Sequence, residues 1–182
     1  MTSRQPESLS LDRFATPIGT ALLVTDSAGI LCALDWEDYA ARLGRLLRRT
    51  FGAIELREGA DPDSVRQPLA GYFAGDLAGL NAIATRTGGT PFQCAVWSAL
   101  RTIEPGRTIS YGALAARIGA PAAVRAVGLA NGANPIGIVV PCHRVIGADG
   151  SLTGYGGGLH RKRWLLDHES GSAISHRNSA PV

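Results

Sequence analysis

Apolar and polar positions change their period along the chain, and the period predicts the elements. Leu11 to Phe14, Ala21 to Thr25 and Ile30 to Leu34 are short apolar-rich runs, separated by Thr16-Pro17-Ile18-Gly19 and Asp26-Ser27-Ala28-Gly29. Runs of this length bounded by Gly, Pro and Asp read as strands joined by turns, and short turns make consecutive strands antiparallel. The period then lengthens. Over Glu37 to Phe51, Tyr39, Leu43, Leu46 and Leu47 fall on one face and Arg42, Arg45, Arg48 and Arg49 mostly elsewhere. That pattern predicts an amphipathic helix closed by Gly52, its Arg row read as a solvated face. Ala53 to Arg57 predicts a further strand, Ser64 to Phe73 a second helix and Leu80 to Thr85 another strand. The unit is α+β and holds no catalytic constellation; Cys32 lies inside an apolar strand and reads as core.

Thr87-Gly88-Gly89 reads as a linker, and the pattern after it is mostly helical. The predicted division is an N-terminal α+β domain over residues 1–88, a C-terminal domain over 89–170 and a disordered tail over 171–182. Thr90-Pro91 combines an N-cap residue with Pro in the first turn, which starts a helix. Phe92, Val96, Trp97 and Leu100 supply its buried face, and Cys94 reads as packing. Two short helices follow, from about Ala113 to Ile118 and from about Ala122 to Gly132, broken by Gly119-Ala120-Pro121. This is the outline of a helix-turn-helix. The second helix is made of small residues with one charge, Arg125. It lacks the array of Arg, Asn and Gln that reads base edges in a major groove. A helix of small residues such as Ala126 and Gly128 can still lie close against a narrow groove, or be buried as core.

Ile138 to Ile146 reads Ile-Val-Val-Pro-Cys-His-Arg-Val-Ile. Apolar runs on both sides predict a buried strand entering a tight turn. Cys142, His143 and Arg144 lie between these runs. Burying imidazole and guanidinium is costly without partners, and a thiol becomes a strong nucleophile only when a neighbouring base removes its proton. Asn134-Pro135 ahead of it is a turn signal. The Gly154-Tyr155-Gly156-Gly157-Gly158 run lacks the Gly-Lys-Ser/Thr of a phosphate loop and suits a pocket wall on which a flat base stacks. Leu159 to Glu169 predicts a final helix, with Trp164, Leu165 and His168 facing inward and His160-Arg161-Lys162-Arg163 forming an exposed basic cluster.

Charge sharpens the division. Residues 1–89 carry 9 Arg/Lys against 11 Asp/Glu, and residues 90–182 carry 9 against 4, so the net +3 divides into −2 and +5. The basic half is the one holding Cys142, which fits a phosphate-bearing partner or a solvated basic face. Three Cys with no paired spacing, Cys32, Cys94 and Cys142, argue against a disulfide framework and for a cytoplasmic protein. No Cys-x-x-Cys or His-Glu-x-x-His spacing occurs, so no metal is expected, and no apolar run is long enough to span a bilayer.

Pro141-Cys142-His143-Arg144 resembles the active-site signature of the methylated-DNA–protein-cysteine methyltransferases, the O6-alkylguanine-DNA alkyltransferases, and the similarity extends from about Thr90 to Glu169. The resemblance implies a small N-terminal mixed α/β domain of ribonuclease H-like fold. A mostly helical winged-helix or helix-turn-helix C-terminal domain would then carry the active site. It implies direct repair of DNA by one irreversible transfer of the alkyl group from O6-methylguanine to Cys142, with O4-methylthymine an open second lesion. Glu169 would orient His143, which would take the Cys142 proton through a water. Tyr111 would help rotate the nucleotide out and bond to its base. Arg125 would fill the gap left in the stack, on a helix whose small residues Ala126 and Gly128 meet the minor groove. Asn134 would hold the active-site turn, and the carbonyls of Cys142 and Val145 would recognise the exocyclic amine. Tyr155 and Gly156 would line the base pocket; many relatives carry Ser at the position of Gly156, where here only backbone N–H remains. Arg144 would brace the helix pair or bind phosphate. No cofactor is implied; the partner is double-stranded DNA with an extruded alkylated base, the state monomeric. Two other readings stay open on residues alone: a thiol hydrolase, and a non-catalytic module for alkylated DNA, whose relatives replace the nucleophile, commonly with Trp.

Overall fold

The computed structural model describes residues 7–60 and 62–171, so the tail expected to be disordered lies, beyond Gly171, outside the described residues. The chain is mixed α/β. Strands β1 (Glu7–Thr16), β2 (Gly19–Thr25) and β3 (Leu31–Trp36) form an antiparallel meander, with Arg13 opposite Leu22 and Leu23 opposite Leu34. Helix α1 (Ala40–Phe51) then crosses over, and β4 (Ile54–Glu58) returns on the far side of β1 and parallel to it, giving the order β3-β2-β1-β4.

Strand β2 is apolar on both faces because both are covered. Leu22 and Val24 join Leu9, Cys32, Leu43 and Leu47 in a small core between the sheet and α1. Ala21 and Leu23 point the other way, into the main core with Leu31, Leu34 and Trp36. That main core also takes Val65, Leu69 and Tyr72 from α2 (Asp63–Ala74) and residues from the second half of the chain, such as Val127 and Val145. Each fully buried Leu, Ile or Val contributes about 1.5–3 kcal/mol, so the sheet's inner face is the platform on which the rest is mounted.

The helix after Gly89 begins where the sequence pattern places it. Thr90 accepts a hydrogen bond from the Gln93 N–H and the Gln93 side chain accepts from the Thr90 N–H, a capping box that starts α3 (Pro91–Leu100). After it come β5 (Ile109–Ser110), α4 (Tyr111–Arg117), α5 (Val124–Gly132), β6 (Val145–Ile146) and α6 (Leu159–Glu169). Strands β5 and β6 pair in parallel, Ile109 with Val145. The break between α4 and α5 uses Gly119 at φ +74°, which a side chain would strain. Trp97 fixes α3 to α5 by donating from Nε1 to the Ala130 carbonyl at 2.9 Å.

Two expected strands are absent. Leu80 to Thr85 holds a 3-10 turn over Gly79–Ala82 and then a single bridge from Thr85 to Leu31, the one residue among those described that offers it backbone partners outside the turn. The run ahead of Cys142 is not extended either. Ile138 adopts φ +67°, a strained value for a β-branched residue, and the chain coils through 138–140. Cys142–Arg144 is itself a 3-10 turn.

Candidate functional site

Cys142, His143 and Arg144 are all buried, on one turn of helix between the strained segment and β6. The turn is held from behind by Asn134. Its amide donates to the Val140 carbonyl at 2.7 Å and to that of Ile136 at 3.4 Å, while its carbonyl accepts the Ile136 N–H at 3.0 Å. Asn131 donates to the Cys142 carbonyl at 3.4 Å.

Glu169, last residue of α6, is the hub. Its Oε1 accepts from His143 Nε2 at 2.8 Å, Arg144 Nη2 at 2.9 Å and the Tyr72 hydroxyl at 2.9 Å; its Oε2 accepts from Arg144 Nε at 2.9 Å and the Gly106 N–H at 3.3 Å. Burial alone would raise this carboxyl, but the hydrogen bonds from His143 and Arg144 and the charge of Arg144 outweigh it and hold the group well below the usual carboxylate range. Burial depresses His143, with Glu169 opposing, so the imidazole is neutral near pH 7. A neutral ring that donates Nε2–H to a carboxylate carries its lone pair on Nδ1. Nδ1 is buried and finds no hydrogen-bond partner among the described residues, which leaves it the acceptor for a proton from nearby. Arg144 is buried on the same carboxylate, away from any solvent-borne phosphate. It lies under Glu169 and donates to the Ile103 carbonyl.

The thiol itself is pushed up by burial, while a hydrogen bond with Asn134 and the charges of Arg42 and Lys162 pull it down. Lys162 is fully buried and its ammonium donates to the carbonyls of Val145 at 2.6 Å, Thr153 at 2.7 Å and Gly154 at 3.4 Å; burial lowers it to about 8. The expected exposed cluster over residues 160–163 is thus split. Arg161 is also buried, donating to Ile18, Gly157 and Asp38 and stacking over Trp36, and only His160 and Arg163 face solvent.

Tyr111 opens α4 and donates to the Thr153 carbonyl at 3.1 Å, so it touches the 153–157 loop. In that loop Tyr155 sets its ring edge-on to His143, centroids 6.5 Å apart, and Gly156 rests on Arg42. Val145 is buried, its carbonyl occupied by Lys162. Cys142, His143, Glu169, Asn134, Val145, Tyr111, Tyr155 and Gly156 are thus gathered around one turn. Arg125 and Ala126 are not in that cluster; they are exposed on α5, beside Leu129, which is 71% exposed, while the partly buried Gly128 packs near the Tyr111 ring. Tyr72, Lys162, Arg42 and Asn131 are site neighbours that the sequence reading missed. For Lys162 a signal existed: it precedes Leu165 by three and Glu169 by seven, which places all three on one face of a helix.

A buried thiol and a neutral imidazole oriented by an ionised carboxylate define a thiol-nucleophile protein, with α5 exposing Arg125 and Ala126 to solvent. Comparison with known proteins gives that class its family. Residues 91–171 match the model of the 6-O-methylguanine DNA methyltransferase, DNA binding domain. The Salmonella typhimurium methylated-DNA–protein-cysteine methyltransferase is 51% identical over 160 residues, 87% of this chain and 94% of that one. The Mycobacterium tuberculosis OGT in complex with DNA superposes with a TM-score of 0.74 at 42% identity, over 91% of this chain and 94% of that one. The O6-methylguanine-DNA methyltransferase of Pyrococcus kodakaraensis does so at 0.70 and 27% identity, covering 88% and 98%. The chain belongs to the methylated-DNA–protein-cysteine methyltransferase family.

Proposed function

We propose that this chain repairs alkylated DNA by moving the alkyl group from O6 of guanine to Sγ of Cys142, once per molecule. The observation that carries the reading is the Glu169–His143 pair with Nδ1 left as a proton acceptor on the same turn as the buried Cys142 thiol. The Cys142 proton passes toward Nδ1 through a bridging water, Glu169 stabilising the imidazolium that forms. The sulfur attacks the alkyl carbon, the carbon–oxygen bond breaks, and the electron pair leaves with guanine. Tyr111 is the donor that meets the developing charge on the base. Water attacking an unactivated thioether would have to displace the Cys142 thiolate, a poor leaving group, so Cys142 is not regenerated.

Double-stranded DNA is the partner. The α4–α5 pair is read as a helix-turn-helix and β5–β6 as the start of a wing. Helix α5 approaches the minor groove with Ala126 and Gly128, and Arg125 occupies the gap left by the extruded base, offsetting part of an extrusion cost of a few kcal/mol. Tyr155 and Gly156 line the pocket that receives that base. Residues 1–88 form the N-terminal unit, read as ribonuclease H-like, and 89–170 the repair unit, a division supported by the capping box at Thr90 and by the confinement of the four-stranded sheet to residues 7–58.

The test is mass spectrometry after incubation with a duplex containing one O6-methylguanine. One methyl group on Cys142, none in Cys142→Ser and no product beyond one equivalent are expected. Continuous product would point to a hydrolase, and tight binding without transfer to a recognition module. Arg125→Ala is expected to slow transfer from duplex DNA more than from the free alkylated base.

A further inference from the structure

Arg42 belongs to a row of arginines on α1 whose spacing reads as a solvated face, yet its guanidinium is turned inward. Nη1 pairs with Asp35 Oδ2 at 2.6 Å, and Asp35 is itself buried on β3. Nη2 donates to the Gly132 carbonyl at 2.9 Å and to the Asn134 carbonyl at 3.2 Å, closing the end of α5 and the turn before the reactive segment. Its flat face lies directly under Gly156, where a methyl group would overlap the guanidinium. Arg42, Asn134, Cys142, Tyr155 and Gly156 line one small cavity. The ends of flexible side chains usually yield to a neighbour, but three anchors on two elements fix this one.

We propose that Arg42 is a positioning residue for the transfer: clamped on Asp35, it props the Gly156 wall and the Gly132–Asn134 turn around Cys142 and sets a fixed positive charge near the sulfur. The inference rests on the alkyl-transfer reading above. It gives the N-terminal half a part in the reaction, because the clamp originates on β3 and α1. It also accounts for glycine at position 156, since the space that a side chain would need is filled by the guanidinium. The other charged or titratable groups around the sulfur are His143 on its own turn, Lys162 from α6, Tyr111 from α4, Tyr155 from the loop and Asp35 beneath Arg42. Of these, Arg42 and Lys162 pull the thiol toward its anion.

The experiment measures single-turnover methyl transfer from an O6-methylguanine duplex against pH, with thermal melts, for wild type, Arg42→Ala, Arg42→Lys, Gly156→Ala and the pair Arg42→Ala with Gly156→Ala. Arg42→Ala is expected to slow transfer at neutral pH by at least about tenfold, the scale of a modest misplacement of reacting groups, and to move the midpoint of the pH–rate curve upward. Arg42→Lys keeps the charge and holds the midpoint near that of wild type. Gly156→Ala slows transfer in wild type and costs little more once Arg42 is gone, the non-additivity expected of two groups in contact. Should Arg42→Ala fail to fold, Arg42→Lys and Gly156→Ala decide, since wild-type rates in both refute the proposal. A folded Arg42→Ala with unchanged rate and midpoint, or strict additivity of the pair, also overturns it. If wild type itself transfers no methyl group, the proposed function falls instead.

Discussion

Replacing Glu169 by Gln removes one charge from a site where five donors converge on two oxygens. Gln is nearly the same size, so no cavity forms. Its amide oxygen can still accept from His143, but its NH2 now faces the Arg144 guanidinium. Arg144 is 5% exposed and retains only the Ile103 carbonyl as an acceptor beyond this site. Removing one partner of a buried ion pair costs about 3–5 kcal/mol, because the other charge stays desolvated. For a chain of 182 residues, at about 2–4 °C per kcal/mol, the melting temperature falls by roughly 6–20 °C. The pH dependence carries the sign. The Glu169 carboxyl is held below its unfolded value, so its stabilising contribution is complete above about pH 4.3 and is lost as pH falls below that. Glu169→Gln should lack that acid limb, while retaining the loss that begins near pH 6.5 as the depressed His143 is forced to protonate. Methyl transfer should slow by about 10²–10⁴, the range that a positioned general base contributes. Urea titrations from pH 3 to 8 beside single-turnover assays check both. A loss of stability below about 1 kcal/mol, the scale of a solvated pair, with an unchanged acid limb would refute the hub.

Thr90→Ala removes half of the capping box and should cost about 1 kcal/mol in denaturant titration with little change in transfer rate. Tyr72→Phe leaves the ring but deletes a hydrogen bond to a carboxylate, for a loss of about 1.5–3 kcal/mol, and the acid limb should shift toward higher pH. Lys162→Met unties the 153–154 carbonyls and should slow transfer. Because Lys162 is lowered to about 8 when folded, wild type binds fewer protons than its unfolded chain between that pH and about 10.4 and gains stability as pH rises through this window; the gain, read as wild type minus Lys162→Met, should vanish if the ammonium is solvated. The S-methylated product carries an extra carbon in a close-packed site and should be less stable than the thiol form by about 1–3 kcal/mol, seen as a lower melting temperature after one equivalent of repair.

The elements legible in the sequence were those whose pattern is local. The meander strands, α1, α2, α6 and the capped start of α3 follow from period and punctuation and lie within a few residues of their expected bounds. What failed depended on partners far along the chain. Val139 and Val140 look like strand residues, but Ile138 at φ +67° and the Asn134 amide bend that run, and no propensity encodes either. Leu80 to Thr85 has strand composition and, among the described residues, only Leu31 to bridge to. Side-chain direction was harder still. Arg161 and Lys162 sit in a basic run that composition assigns to solvent, and only the α6 face they share with Leu165 and Glu169 reveals that they turn inward.

The N-terminal half shows no catalytic signature because its part in the site is spread over single residues of different elements. Tyr72 comes from α2, Trp36 and Asp35 from β3, and Arg42 from α1, separated by up to 37 positions and unremarkable one by one. Each nevertheless carries a polar or aromatic group to the wall around Cys142 or to Glu169. Burying such groups is tolerable only when their partners are in place, and those partners lie in the other half: Glu169, the Gly132 and Asn134 carbonyls, Gly156 and Gly157. The two halves are therefore coupled through polar contacts as well as through the shared core. A disturbance of the sheet that spares every residue near the sulfur should still reach it through Asp35 and Arg42, and the transfer rate is the measurement most sensitive to that coupling.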